Sequence, residues 1–227
     1  MGTKKQAEKT KKTWSKVAVI TLGVLFVVLM VVSSLGMSWI SSVAGVKSGD
    51  VVVIDYTILD ANGTPIVTTS QQVYQQVVSS GSSVFVSRQL QLIANESATK
   101  AIMPIPVYAA GTWNNSFALF ANEYDAISQG VVGMKVNGQK TISLDGKPME
   151  QFWTVDQLEA NNMNITRAVV GEKLALGVSN NPTMSNSSTD YSIRIGEIIN
   201  KTPEGVGIDF SYPSIKVTVV SRNGGTS

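Results

Sequence analysis

The chain contains neither cysteine nor histidine among its 227 residues. Without cysteine it can form no disulfide, so a folded domain must be held together by packing and hydrogen bonds alone. The two absences also exclude thiol nucleophiles, a Ser-His catalytic pair, imidazole acid-base catalysis and Cys/His zinc sites. Any chemistry must therefore come from carboxylates, hydroxyls, aromatic side chains or the shape of a pocket.

Charged residues are also scarce, at 15% of the chain, and they are unevenly distributed. Residues 1–16 hold six lysines and one acid, so the remainder has 18 − 6 = 12 basic and 16 − 1 = 15 acidic residues, a formal charge of −3. This pattern provides no basic face for nucleic acid. Asp50, Asp55 and Asp60 are spaced too evenly along predicted strands to form a carboxylate cluster. We therefore expect no nucleic-acid partner, no metal and no cofactor.

Residues 17–40 contain no charged residue and form the longest apolar run of the chain. A helix over this range would rise about 36 Å, which is enough to cross a bilayer. The lysines before it predict a cytoplasmic basic tail over 1–16 and an extracytoplasmic domain after it. The sequence thus predicts a single-pass membrane protein that contacts the lipid bilayer through residues 17–40. A cleaved signal peptide is the alternative, because Ser42-Val43-Ala44 has small residues at the cleavage positions.

The sequence contains six Asn-x-Ser/Thr motifs, a mild excess for a chain rich in serine, threonine and asparagine. Such motifs predict a glycosylated surface domain, although the composition alone also produces some of them by chance. They begin at Asn62, Asn95, Asn114, Asn164, Asn186 and Asn200.

Hydrophobic periodicity predicts a mixed pattern of helix and strand in the first half of the domain. The stretch Asp60-Ala61-Asn62-Gly63 lies between two apolar runs and predicts a hairpin. Residues 124–134 have helical spacing, Val136-Asn137-Gly138 predicts a tight turn, and 139–144 alternates as a strand does. Residues 68–111 fit an insertion with a short helix and one or two strands. Residues 117–119 are predicted to form a short strand that leads into the helix at 124–134.

The second half of the domain is predicted to be rich in β-strands. Residues 145–148 predict a turn, and the capping box Thr154-Val155-Asp156-Gln157 predicts a short helix. Strands are predicted over 171–178, 191–199, 205–210 and 214–220. The expected fold class is therefore α+β, with the transmembrane helix at its N-terminus.

Two segments, VKSGDVVVIDYTILDANGTPI and QGVVGMKVNGQKTISL, give the chain a resemblance to a known family. In this order they resemble the FKBP family of peptidyl-prolyl cis-trans isomerases, and the C-terminal half resembles its two-domain, SlyD-like microbial branch. The resemblance implies an antiparallel half-barrel sheet with one crossing helix, and a small chaperone-like domain inserted before the last strand. The implied FKBP-like domain covers 46–148 and 213–222, with an atypical insertion at 68–111, and the inserted domain covers 149–212.

The implied activity is isomerisation of X-Pro bonds, which faces a barrier of about 18–20 kcal/mol. An apolar cup that binds the twisted amide lowers this barrier without a nucleophile, a metal or a cofactor. The expected partners are proline-containing or unfolded polypeptides, such as exported proteins during folding. The resemblance implies catalytic roles for Tyr56, Ile66, Val67, Ile127, Phe152 and Ile215, and substrate binding by Phe117, Tyr124 and Trp153.

Two alternatives to an active isomerase remain open at this point. Val67 stands where the family has an aspartate and Ile215 where it has a phenylalanine, which fits a binding or chaperone module without catalysis. A structural module of the cell surface, with an unrelated function, is the other alternative.

Overall fold

The computed structural model describes residues 20–31, 33, 44–144, 149–180 and 191–223. The chain divides into two compact units, residues 1–44 and residues 45–227. Residues 20–31 and 33 are helical. No helix in the described ranges is long and apolar enough to cross a membrane.

The predicted transmembrane helix is therefore wrong as a feature of this fold. A helix over 20–31 rises only about 18 Å, whereas the hydrocarbon core of a bilayer is about 30 Å thick. The remaining residues of the predicted span, apart from 33, lie outside the described part of the chain.

The second unit is mostly β, and strands account for 44% of the structure. The predicted α+β class is thus also wrong, because the described helices of this unit are few and short. The helices are α1 (Gln71–Ser79), α2 (Ala121–Gly130) and α3 (Val155–Ala160). The strands are β1 (Val51–Leu59), β2 (Pro65–Thr68), β3 (Phe85–Ser87), β4 (Leu90–Ile93), β5 (Ile102–Ala109), β6 (Thr112–Phe120), β7 (Gln139–Ser143), β8 (Glu150–Thr154), β9 (Lys173–Val178), β10 (Ser192–Thr202), β11 (Gly205–Asp209) and β12 (Ser214–Asn223).

The strands form one curled sheet that resembles a half-barrel. Its order is β7-β12-β1-β2-β3-β5-β6-β10-β11-β8, while β4 pairs with β1 and β9 pairs with β10. Most pairs are antiparallel, but β2 with β3 and β6 with β10 are parallel. The last strand, β12, lies beside the first, β1, over its whole length.

The predicted hairpin between β1 and β2 is confirmed. Asp60 Oδ1 accepts hydrogen bonds from the backbone N–H groups of Asn62 and Thr64, at 2.9 and 2.7 Å. Gly63 takes the positive φ of 75° that the turn requires. On β1, Val52, Ile54, Tyr56 and Ile58 are buried in the core, since alternate residues of a strand share one face.

The predicted helix at 124–134 is present, but its bounds are shifted towards the N-terminus. Helix α2 begins at Ala121 because Glu123 accepts a hydrogen bond from the N–H of Phe120, at 2.9 Å. It ends at Gly130, and Gly133 follows in a turn with φ of 82°. The turn at 136–138 and the strand after it are confirmed.

Residues 68–111 contain one short helix, as predicted, but three strands rather than one or two. These are α1, β3, β4 and β5, and Thr68 is the last residue of β2. Strand β8 was not predicted as a strand at all. The other four C-terminal strands and the capped helix α3 are confirmed. The predicted turn at 145–148 and the motif at Asn186 lie outside the described residues.

The second unit contains two clusters of buried apolar side chains. The large cluster is drawn from residues 46–144 and 212–219, and the small cluster from residues 158–210. We use the term large lobe for the described residues of 45–144 and 212–223, and small lobe for those of 149–211.

Candidate functional site

Five of the six predicted catalytic residues come together in the large lobe, but as part of its core. None of them is more than 5% exposed, and all belong to the large cluster. They are Tyr56, Ile66, Val67, Ile127 and Ile215. The predicted substrate-binding residue Phe117 is in the same cluster and has no exposed surface. The space that the resemblance assigns to a proline ring is therefore filled by side chains.

Strands within residues 68–111 supply part of this filling. Tyr56 Oη lies 2.6 Å from Ser87 Oγ on β3, and Ser87 Oγ donates to the carbonyl of Pro106 on β5, at 2.8 Å. Because the Ser87 proton goes to Pro106, the Tyr56 hydroxyl is the donor to Ser87. The ring of Phe85 on β3 packs against Phe117, with centroids 6.5 Å apart.

The environment of Tyr56 fixes its protonation state. Burial raises the pKa of its phenol well above the usual value, and the hydrogen bond to Ser87 opposes this effect only in part. The hydroxyl is therefore neutral at physiological pH. Its one proton is already donated to Ser87, so it has no proton left for a substrate carbonyl.

The other predicted site residues lie elsewhere. Phe152 is 50% exposed on β8 and is paired in register with Gly207 on β11. Its neighbour Trp153 packs against the small cluster instead, because successive residues of a strand point to opposite faces. Tyr124 is half-buried on α2 and packs against the large cluster. The structure thus brings neither Phe152 nor Trp153 to Tyr56.

A buried ion pair that the sequence did not reveal lies between the two lobes. Arg194 on β10 has no exposed surface, and its guanidinium contacts both carboxylate oxygens of Glu123 at 2.6 and 2.9 Å. It also donates to the carbonyls of Ala118 and Phe210 and lies 4.0 Å from the ring centre of Tyr212. All described hydrogen-bonding atoms of this network are satisfied, since no buried side-chain N or O lacks a partner.

This network joins the elements that carry the two clusters. Ala118 lies on β6 and Glu123 on α2, both in the large lobe, whereas Phe210 belongs to the small cluster. A second ion pair, 2.5 Å long, joins Lys173 of β9 to Asp60 in the β1–β2 turn. The alternation of β10 gave no signal for this pair, because the apolar residues Ile193 and Ile195 lie on the face of the strand opposite Arg194.

The small lobe exposes apolar side chains at a position where two of its segments meet. Val169 and Val170 are 63% and 55% exposed, and Ile199 is 36% exposed. Gly171 N donates to Ile198 O at 2.7 Å, so the backbone segments that carry the two valines and Ile199 meet here. We call Val169, Val170 and Ile199 the small-lobe apolar surface.

A cavity of about 160 Å³ opens next to this surface. Its walls are mainly apolar, and the charged side chains of Arg167 and Glu172 also line it. The lining residues are Leu158, Met163, Asn164, Arg167, Ala168, Glu172, Leu174 and Ile198. Its volume suits one aliphatic side chain of a bound polypeptide.

A larger cavity, of about 460 Å³, is lined by residues of β1, β7 and β12 and by Thr69, Ser70 and Val73. Its side chains are mostly hydroxyl, amide or charged groups, among them Thr57, Gln139, Lys216 and Thr218. Of the predicted catalytic and substrate-binding residues only Tyr56 is in its lining, and that side chain is only 2% exposed. Among the described residues, no group of three or more carboxylates is placed to hold a metal ion.

No family model and no curated protein matches the chain. The resemblance to FKBP-type isomerases therefore stays a prediction from the sequence, and a function has to be argued from the geometry.

Proposed function

We propose that the chain is an FKBP-like module that binds unfolded or proline-containing polypeptides and does not catalyse prolyl isomerisation. The observation that carries this proposal is the filled core around Tyr56, Ile127 and Ile215, each at most 2% exposed. An X-Pro segment could enter only by displacing packed side chains, and removing one large side chain from such a core already costs about 2–5 kcal/mol.

The chemistry of the filled cup also disfavours catalysis. Val67 offers no carboxylate to orient the substrate amide, and Tyr56 has already donated its proton to Ser87. Catalysis depends on interactions that become stronger in the transition state. The buried side chains of this region leave no free polar group for such an interaction.

Polypeptide binding is supported by the small lobe. The small-lobe apolar surface and the neighbouring cavity of about 160 Å³ offer contacts for aliphatic side chains. Strand β8 is the last in the sheet order and carries Phe152, which is 50% exposed. An extended segment could add to this edge through main-chain hydrogen bonds.

The proposal includes a location outside the cytoplasm. The five described Asn-x-Ser/Thr asparagines are all exposed, as glycan attachment would require. A lysine-rich segment followed by an apolar run and small residues also fits an export signal.

A refolding assay with the purified full chain tests the proposal. We expect no acceleration of a proline-limited refolding step at micromolar concentration, and suppressed aggregation of an unfolded client. Replacing Val169 and Val170 with serine should weaken the suppression, whereas Val132→Ser, at a valine of the large lobe that is 40% exposed, should not. Accelerated refolding by the wild type would overturn the proposal in favour of an active isomerase. If the valine double variant suppresses aggregation as well as the wild type does, the small-lobe apolar surface is not the binding surface.

A further inference from the structure

The tip of the β5–β6 hairpin exposes two aromatic side chains in contact. Tyr108 is 46% and Trp113 is 37% exposed, and their ring centroids are 5.6 Å apart. The guanidinium of Arg88 lies 4.6 Å from the ring centre of Trp113 and helps to fix that ring. Neither ring belongs to the large cluster or to the small cluster.

An irregularity in the strand pairing brings Asn114 to the same place. Val107 pairs with Asn115 and Ala109 with Thr112, so two steps along β5 match three steps along β6. Tyr108 alone therefore lies opposite both Trp113 and Asn114, which is the arrangement of a β-bulge. Asn114 begins the motif Asn114-Asn115-Ser116 and is exposed.

The side chain of Asn114 is also available for modification. In the described ranges its amide has no hydrogen-bond partner, and only its backbone N–H bonds, to Thr112 Oγ1 at 3.2 Å. By contrast, Asn95 donates its amide to Ser48 Oγ, at 3.2 Å. The side-chain oxygens of Asn164 and Asn200 accept bonds from Thr166 and Gly207, at 2.8 Å each.

We propose that Asn114 is an N-glycosylation site whose first sugar packs on the exposed rings of Tyr108 and Trp113. The C–H face of a pyranose is apolar and slightly positive, which suits the negative face of an aromatic ring. A linked glycan would thus cover two large aromatic side chains that the fold leaves exposed. Asn62 has an equally free amide, but it lies in the β1–β2 turn, where no described ring pair faces it.

In the transfer reaction, a lipid-phosphate-linked oligosaccharide donates the sugar to Asn114. A bond forms between Asn114 Nδ2 and C1 of the sugar, and the bond between C1 and the phosphate oxygen breaks. The lipid phosphate leaves with the electron pair. One amide proton passes to a base of the transferring enzyme.

Mass spectrometry of the glycopeptides tests the attachment. The full chain is expressed in a host that glycosylates exported proteins, beside a secreted glycoprotein as a control for the host. We expect modification at Asn114 and its loss in Asn114→Gln. Modification of other motifs with Asn114 unmodified would overturn the proposal. A completely unmodified chain, produced in a host that glycosylates the control protein, would also overturn the proposal.

Thermal unfolding tests the packing of the sugar on the rings. Enzymatic removal of the glycan from the wild type should lower Tm by about 2–4 °C. The same treatment should lower Tm by less than half as much in Trp113→Ala, but by the full amount in the control Phe152→Ala. An equal effect of the glycan in the wild type and in Trp113→Ala would overturn the proposed contact.

Discussion

In the large lobe, Tyr56 and Ile127 are at most 2% exposed, although the sequence resemblance places both in an open cup. In the small lobe, Val169 and Val170 are 63% and 55% exposed, although apolar side chains gain free energy from burial. The same chain therefore closes the site that the resemblance predicts and leaves a different apolar surface open. The comparison favours the small lobe as the part that meets a partner.

Residues 68–111 provide the cover that distinguishes the large lobe from the small lobe. Its strands bring Phe85 and Ser87 against the residues around Tyr56. The small lobe has no comparable cover over Val169 and Val170 among the described residues. Four predictions test this contrast, beginning with the junction on which both lobes depend.

Removing one partner of the buried ion pair should have the largest effect. Glu123→Ala leaves the Arg194 charge buried without its carboxylate, and we expect the free energy of unfolding to fall by about 3–5 kcal/mol. Urea denaturation measures the change. The double variant Glu123→Met with Arg194→Met should recover much of the loss, because it leaves no unpaired buried charge. A loss below about 1 kcal/mol in Glu123→Ala would contradict this account.

The filled core is tested directly by shortening one of its side chains. Ile127→Ala should lower the free energy of unfolding by about 2–5 kcal/mol, since it creates a cavity in a packed region. The matched change Val169→Ala in the small lobe should stay within about 0.5 kcal/mol. If Ile127 lined an open cup, the two variants would differ little in urea denaturation.

The Tyr56 hydroxyl should contribute a smaller amount, with a defined pH dependence. Tyr56→Phe removes the bond to Ser87 and should cost about 1 kcal/mol at neutral pH. Because burial raises the pKa of Tyr56 in the folded state, its contribution is complete below the unfolded pKa of about 10. It is lost as the pH rises from there towards the folded pKa.

Thermal unfolding between about pH 8 and pH 12 measures this dependence. Tyr56→Phe should lose stability less steeply than the wild type above about pH 10. Burial also raises the pKa of Tyr212. Tyr212 is present in both proteins, so it affects both stability curves in the same way. Parallel curves would contradict the assignment of a raised pKa to Tyr56.

The smallest effect on stability is expected at the small-lobe apolar surface. Val169→Ser with Val170→Ser should change the free energy of unfolding by no more than about 1 kcal/mol, because both side chains are exposed. Its effect should appear in client binding instead, measured as the Kd for a fluorescently labelled unfolded polypeptide. An unchanged Kd would show that the exposed valines do not form the binding surface.

Local features of the fold were predictable from the sequence, because they depend on neighbouring residues. The Asp60 turn, the capping box at Thr154 and the alternation of β12 each follow from side chains within a few positions. The membrane helix and the α+β class were predicted in the same way and were wrong. The uncharged run favours a long helix by composition, but within the described residues no helix is long and apolar enough to cross a membrane.

The sequence by itself determined which residues are apolar, which turns form and where most strands lie in the second unit. Only the tertiary structure decided that the predicted cup is filled and that Arg194 is buried. Both depend on contacts between distant segments, since Ser87 meets Tyr56 across 31 residues and Arg194 meets Glu123 across 71. Local patterns cannot specify such contacts, because burial is set by the elements that the completed sheet brings together.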